Sequence, residues 1–248
     1  MGDPVAQAVA AILALIALVH RLKQLKTTET NSKISFPMLK QVTIVAIPSI
    51  LQQCFVSVGN LFVQSAVHSY GSAVVAGFSA CQKLNVFCVT CMTALSNGLS
   101  SFTAQNLGAK KAERVTEGWK AGSLLGVLVC VPFFLFYFCC SETAMGLFLE
   151  ESSAEAIQAG VDYLKIVTPF YFIVIFKVMC DGVLLGASAM LQFMTGTFAD
   201  LFLRVVLAFV FAKGLGFGPT GIWMAWPVGW TLSTLISYNF YRLKPWKK

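Results

Sequence analysis

Apolar runs of about membrane-spanning length alternate with short polar segments along this chain, and the pattern predicts seven helices. Residues 4–20 form a first run of marginal length, since ~20 residues are needed to cross the hydrocarbon. Longer runs follow at 42–66, 73–103 and 121–140. Residues 166–212 read as two more spans joined by the small-residue bend GASAM at 186–190, and 219–241 as the last. Between the fourth and fifth spans, residues 141–163 carry Glu142, Glu150, Glu151, Glu155 and Asp162, which predicts an external hairpin. A short helix there would be capped at Ser152 or Ser153. The fold expected is an all-α integral membrane protein.

Polar positions inside the spans are sparse and regularly placed. Gln53, Asn60 and Gln64 lie seven and four residues apart, close to one helical face. Gln82, Lys83 and Asn85 fall about eleven residues into the third span, roughly 16 Å deep at 1.5 Å per residue. These side chains are candidates to line a cavity; otherwise the amides bond helix to helix and Lys83 snorkels to an interface. The 166–212 stretch holds four charges, Lys177, Asp181, Asp200 and Arg204. A charge at the bilayer centre costs at least ~2.5 kcal/mol, so such groups persist when paired, solvated or used. Both sets are spaced i, i+4, which stacks Lys177 over Asp181 and Asp200 over Arg204. Asp181 with Lys177 is the candidate cation or proton site, with a silent pair as the open alternative. Asp200 with Arg204 reads as a structural ion pair, because arginine stays charged and would hold the carboxylate ionised.

Composition agrees with this reading. The mean hydropathy is +0.74; 57% of residues are hydrophobic and 12% charged, about half the charge of a soluble domain. The formal charge of +7 does not indicate nucleic acid, because the basic residues cluster between apolar runs. Five Lys/Arg in the first polar linker, four after the third span and four in the tail account for 13 of the 18, which places those segments in the cytoplasm. The N-terminus is then outside and the C-terminus cytoplasmic, in a multi-pass plasma-membrane protein. Three of the tryptophans, Trp223, Trp226 and Trp230, fall in the last run, two of them near one interface as anchors. The aromatic run Phe133, Phe134, Phe136, Tyr137 and Phe138 reads as lipid-facing. The eight cysteines sit in apolar runs or at the end of one, without zinc-site spacing, and read as small apolar filler. No nucleophile elbow, phosphate loop, catalytic, cofactor-binding or metal-ligand pattern is present, so an enzyme is not expected.

Four segments carry a family likeness: IPSILQQCFVSVGN at 47–60, FTAQNLGAKKAERVTEG at 102–118, DGVLLGASAMLQFM at 181–194 and GPTGIWMAWPVGW at 218–230. Together they resemble the second half of a multidrug and toxic compound extrusion (MATE) transporter of the clostridial type. The resemblance implies a six-helix lobe over 42–241, preceded by a single helix at 1–22 that stands as the remnant of a first lobe and a basic linker at 23–41, and followed by a tail at 242–248. It implies export of organic cations by alternating access, driven by Na+ or H+, with no cofactor besides that ion. A separate N-terminal lobe or a second copy of the chain is the implied partner within the bilayer. A non-autonomous or truncated half-transporter, and an exporter of lipid-linked or anionic substrates, are the other readings. Gln105, Asn106 and Gly108 fall in the family's inner loop, as a helix cap or a gate. Leu185 stands where the family pattern has Arg, and Ser188 where it has its last Gly.

Overall fold

The computed structural model describes residues 2–24, 35–149 and 154–247. Its helices are α1 (Gly2–Gln24), α2 (Phe36–His68), α3 (Ser72–Gly108), α4 (Glu113–Phe134), α5 (Ser141–Gly146), α6 (Ala154–Val167), α7 (Tyr171–Gly186), α8 (Met190–Phe209) and α9 (Gly218–Arg242), and no strand occurs among the described residues. The chain divides into two units, Met1–Thr43 and Ile44–Lys248. The first contains α1, whose apolar part Ala8–Arg21 is shorter than a span. The second contains everything that follows concerning cavities and charges.

Among the described residues, five helical stretches are able by length and composition to cross a membrane: Phe36–His68, Ser72–Gly108, Glu113–Cys139, Ala154–Gly186 and Met190–Gly214. The all-α membrane fold is as expected. α9 is 25 residues long yet less apolar, because Trp, Tyr, Pro, Ser and Gly dilute its aliphatic content. Its tryptophans are not interfacial anchors. Trp223, Trp226 and Trp230 are all buried, with Trp223 stacked on Phe78 at 5.1 Å and met edge-on by Tyr163 at 5.4 Å. Such aromatic pairs contribute beyond simple area burial, and they make α9 a central helix.

The segment 141–163, expected as a hairpin with a short helix, is helical over most of its described residues. α5 is a single short helix, and from Ala154 the chain is already helical, continuing through a tight turn at Thr168–Phe170 into α7. Of the acidic residues, Glu155 and Asp162 fall on α6, seven positions apart on one face. The other face buries Ala156, Gly160, Val161, Tyr163, Leu164 and Val167. Pro169 explains the tight turn, since it removes a backbone donor and disfavours continued α-helix. The cap expected at Ser152 or Ser153 lies outside the described residues, as does most of the basic linker. The aromatic run after Pro132 is likewise mixed: Phe136 and Phe138 are exposed, whereas Tyr137 turns inward and donates to the Leu84 carbonyl at 3.1 Å. Cys81, Cys88, Cys130 and Cys180 fill the core, but Cys139 and Cys140 are exposed.

Two helix seams fix the site. On α7, Gly182 and Gly186 bring the backbone against Ser96 and Ser100 of α3, and the Ser96 hydroxyl donates to the Val178 carbonyl at 2.7 Å. Small residues at this spacing permit the close approach that membrane helices use in place of a hydrophobic driving force. On the other seam, Gly196 of α8 faces Ser237 of α9, and Gly229 of α9 faces Asp200 of α8. α3 and α7 end alike. Lys111 N–H bonds to the Asn106 carbonyl at 2.8 Å and Lys110 N–H to Leu107 at 3.0 Å; Ala189 and Ser188 repeat this onto Leu184 and Leu185 at 2.8 and 3.0 Å. Lys110 and Ser188 take the left-handed residue of this cap, at φ 58° and 56°, a position usually given to glycine.

Candidate functional site

A cleft of about 510 Å³ opens between α2, α3, α7, α8 and α9 within the second unit. Its wall is mostly apolar, with Val56, Val89, Val174 and Val178, and Trp226 and Trp230 form an aromatic corner. Into it come Asn60 from α2, Gln82 and Asn85 from α3, Lys177 from α7, and Asp200 and Arg204 from α8. A smaller chamber of about 170 Å³ adjoins it, sharing Asn60, Gln82 and Trp226 and adding Gln64. Asn60 and Gln64, at i, i+4 spacing on α2, thus converge with the cluster at Gln82 and Asn85. Asn85 is buried and accepts a hydrogen bond from the Tyr171 hydroxyl at 3.0 Å.

Two of the expected lining residues are elsewhere. Gln53 stays exposed, whereas α2 becomes buried only further along, at Val63, Ala66 and Val67. Lys83 is exposed and lies 5.8 Å from the ring centroid of Phe148. It sits one helical step round from the polar face of Gln82 and Asn85, and its long stem carries the ammonium away. Among the inner-loop residues, Asn106 is buried and its side-chain amide donates to the Phe102 carbonyl at 2.8 Å, Gln105 accepts from the Ala109 N–H at 3.0 Å, and Gly108 is the last residue of α3. All three belong to the helix cap.

The two charged sets behave differently. Lys177 Nζ donates to Asp181 Oδ2 at 2.6 Å, and the Ser237 hydroxyl of α9 donates to Asp181 Oδ1 at 2.8 Å. Both carboxylate oxygens are therefore occupied. Lys177 faces the cleft; Asp181 lies behind it. The expected ion pair of Asp200 with Arg204 is not formed. Lys177–Asp181 is the ion pair found among the described residues. Arg204 instead lays its guanidinium over the Trp226 ring, 4.3 Å from the centroid. Its Nε and the Asp200 Oδ1 are both buried without a hydrogen-bond partner. The Asp200 oxygen turns toward Gly229, where an added methyl group would come within 3.0 Å of it. Competition from the aromatic face and from the α9 notch separates the two groups. Sequence spacing gave no sign of Trp226 or Ser237 as partners; the run of Gly and Trp at 218–230 was the available signal.

A family model described as MatE matches residues 48–210, which include all four of these charges. The chain belongs to the MatE family. Relatives of this MatE chain include the Probable multidrug resistance protein YpnP of Bacillus subtilis (strain 168), 26% identical over 204 residues, which cover 82% of this chain and 45% of YpnP. YoeA of the same organism, also named a probable multidrug resistance protein, is 23% identical over 206 residues, covering 82% and 44%. The chain thus spans about half the length of the curated relatives it matches. Among solved structures, a MATE in the bent conformation superposes with a TM-score of 0.80 at 17% identity, covering 89% of this chain and 48% of that one. An outward-facing multidrug resistance MATE family transporter of the MOP superfamily gives 0.75 at 20% identity, with coverages of 83% and 46%. At these identities the likeness shows the MATE fold, and the matched shares correspond to one half of it.

Proposed function

We propose that this chain is a lobe of a secondary active transporter that exports organic cations by alternating access, with Na+ or H+ exchanged at Lys177–Asp181. Family membership supports the class. The observation that carries the mechanism is the arrangement around Asp181, whose two oxygens are held by a lysine that faces the cleft and by a serine hydroxyl behind it. A sodium ion or proton arriving at Asp181 competes with Lys177 for the same oxygen. Once displaced, the ammonium has the cleft as its outlet. There it repels an organic cation, and in a site of low dielectric that repulsion is far stronger than in water. Loading the ion and holding the cation are then mutually exclusive, which is the coupling antiport requires. Asp181 and Ser237 offer the hard oxygen donors that suit sodium. Asn60, Gln82 and Asn85 give the cleft a neutral polar floor.

On this reading the basic segments face the cytoplasm of a plasma-membrane protein, with the N-terminus outside. The cleft is completed by a second lobe, from another copy of the chain or a separate one, because the relatives are about twice as long. The test is efflux of a fluorescent cationic dye from proteoliposomes under an imposed Na+ or H+ gradient, comparing wild type with Asp181→Asn. Gradient-driven efflux that disappears in the variant is the expected result. Efflux that persists in Asp181→Asn removes Asp181 from coupling. If correctly inserted wild type gives none, and none after a partner lobe is added, the transport reading falls.

A further inference from the structure

Arg204 is 6% exposed and lines the cleft, and its buried Nε has no hydrogen-bond partner among the described residues. The guanidinium has five N–H donors in a planar fork and is never neutral. Stacking on Trp226 covers its face, and the buried Nε–H is left without an acceptor. The Trp226 indole N–H is likewise buried and unpartnered. These donors share the corner of one cleft. Cation–π stacking with an open N–H edge is the arrangement that receives a carboxylate or phosphate in a bidentate contact.

We propose that Arg204 is an anion-binding subsite of the cleft and that the transported molecule is zwitterionic, with an acidic group on Arg204 as well as a cationic one. The charge balance favours this pairing. Lys177, Asp181, Asp200 and Arg204 sum to zero, so a net-neutral ligand enters without leaving an uncompensated charge, whereas a bare cation places an extra charge in a desolvated site. Asp200, one turn from Arg204, also lines the cleft and supplies the compensating negative charge on that helix. The inference rests on the cleft being the substrate site and narrows the substrate class; it does not depend on which ion couples.

The test is equilibrium binding, without a gradient, of a rhodamine bearing a free carboxylate and of its methyl ester, measured by fluorescence anisotropy on the purified chain in lipid nanodiscs at neutral pH. Both dyes keep the same cationic ring. Wild type is expected to bind the free acid about tenfold or more tighter than the ester, the size of one charge-assisted bidentate contact. Arg204→Gln should abolish or reverse that preference by weakening the acid and not the ester, and Arg204→Lys should keep part of it. Equal affinity of wild type for the two dyes overturns the proposal, and so does an Arg204→Gln variant that weakens both alike. The wild-type comparison stands even if the variant fails to fold. A wild type that shows no gradient-driven efflux, alone or with a partner lobe, yet keeps the acid preference would sink the transport reading and leave the anion subsite standing.

Discussion

α7 and α8 each carry one acid and one base four residues apart, yet only α7 closes its pair. Intrahelical preference points the other way. An acid N-terminal to a base is the better order on a helix, which describes Asp200 and Arg204 on α8, whereas α7 has the base first. What decides is the neighbouring helix. Ser237 of α9 supplies a second hydrogen bond that pins Asp181 within reach of Lys177. On α8 the same α9 offers Arg204 an aromatic face and Asp200 a glycine notch, drawing the two apart. Four residues of spacing make a pair possible, and tertiary partners choose whether it forms.

That comparison is open to experiment, starting with the largest effect. Asp181→Ala strands Lys177 in a buried site and should cost about 3–5 kcal/mol, the range for breaking a buried ion pair. Asp200→Ala removes a group that has no such partner and should cost under about 1.5 kcal/mol in the same thermal unfolding assay. Equal losses would mean that the two sets are equivalent after all. Ser237→Ala removes one charge-assisted hydrogen bond and is expected to destabilise by about 1.5–3 kcal/mol. Its effect should shrink to nearly nothing in an Asp181→Asn background if the hydroxyl acts through that carboxylate. Gly229→Ala crowds Asp200 Oδ1 from 3.0 Å and should cost about 1–3 kcal/mol by overpacking. It should also push the carboxylate toward Arg204, so that combining it with Trp226→Phe gives a non-additive result. The smallest effect lies in the turn between the two helices. Ser188→Gly relieves a left-handed residue and should stabilise by about 1 kcal/mol. A destabilised Ser188→Gly protein would show that the serine side chain has a role that its backbone does not reveal.

Much of this was legible in the sequence. The helices at 42–66, 73–103, 121–140 and the pair around GASAM were marked by apolar length, and the turns by Gly, basic clusters and small residues. The Lys177–Asp181 pair, and the convergence of Asn60, Gln64, Gln82 and Asn85, followed from helical spacing. The rest depended on contacts between distant segments. A short helix was expected just after Ser153, but its continuation through Thr168–Phe170 into α7 was concealed, because polar residues on one face outweighed a buried face of small and aromatic residues. Lys83 was placed in the interior by counting depth, which says nothing about the direction in which a side chain leaves its helix. Arg204 was assigned to Asp200 because Trp226, 22 positions later, is outside the reach of any local rule. Tryptophans that look like interfacial anchors are instead core residues because α9 is surrounded by other helices.

The Ser237 hydroxyl has one property that Lys177, the other group on Asp181, lacks. It is donor and acceptor at once, and its hydrogen rotates freely about the Cβ–Oγ bond. Facing an ionised Asp181 it donates; facing a protonated one it turns and accepts, and no heavy atom moves. The α7–α9 junction therefore stays closed through a change of charge at its centre. Any displacement that follows such a change has to begin with the lysine on the open side, so the carboxylate can act as a sensor while its rear support holds still.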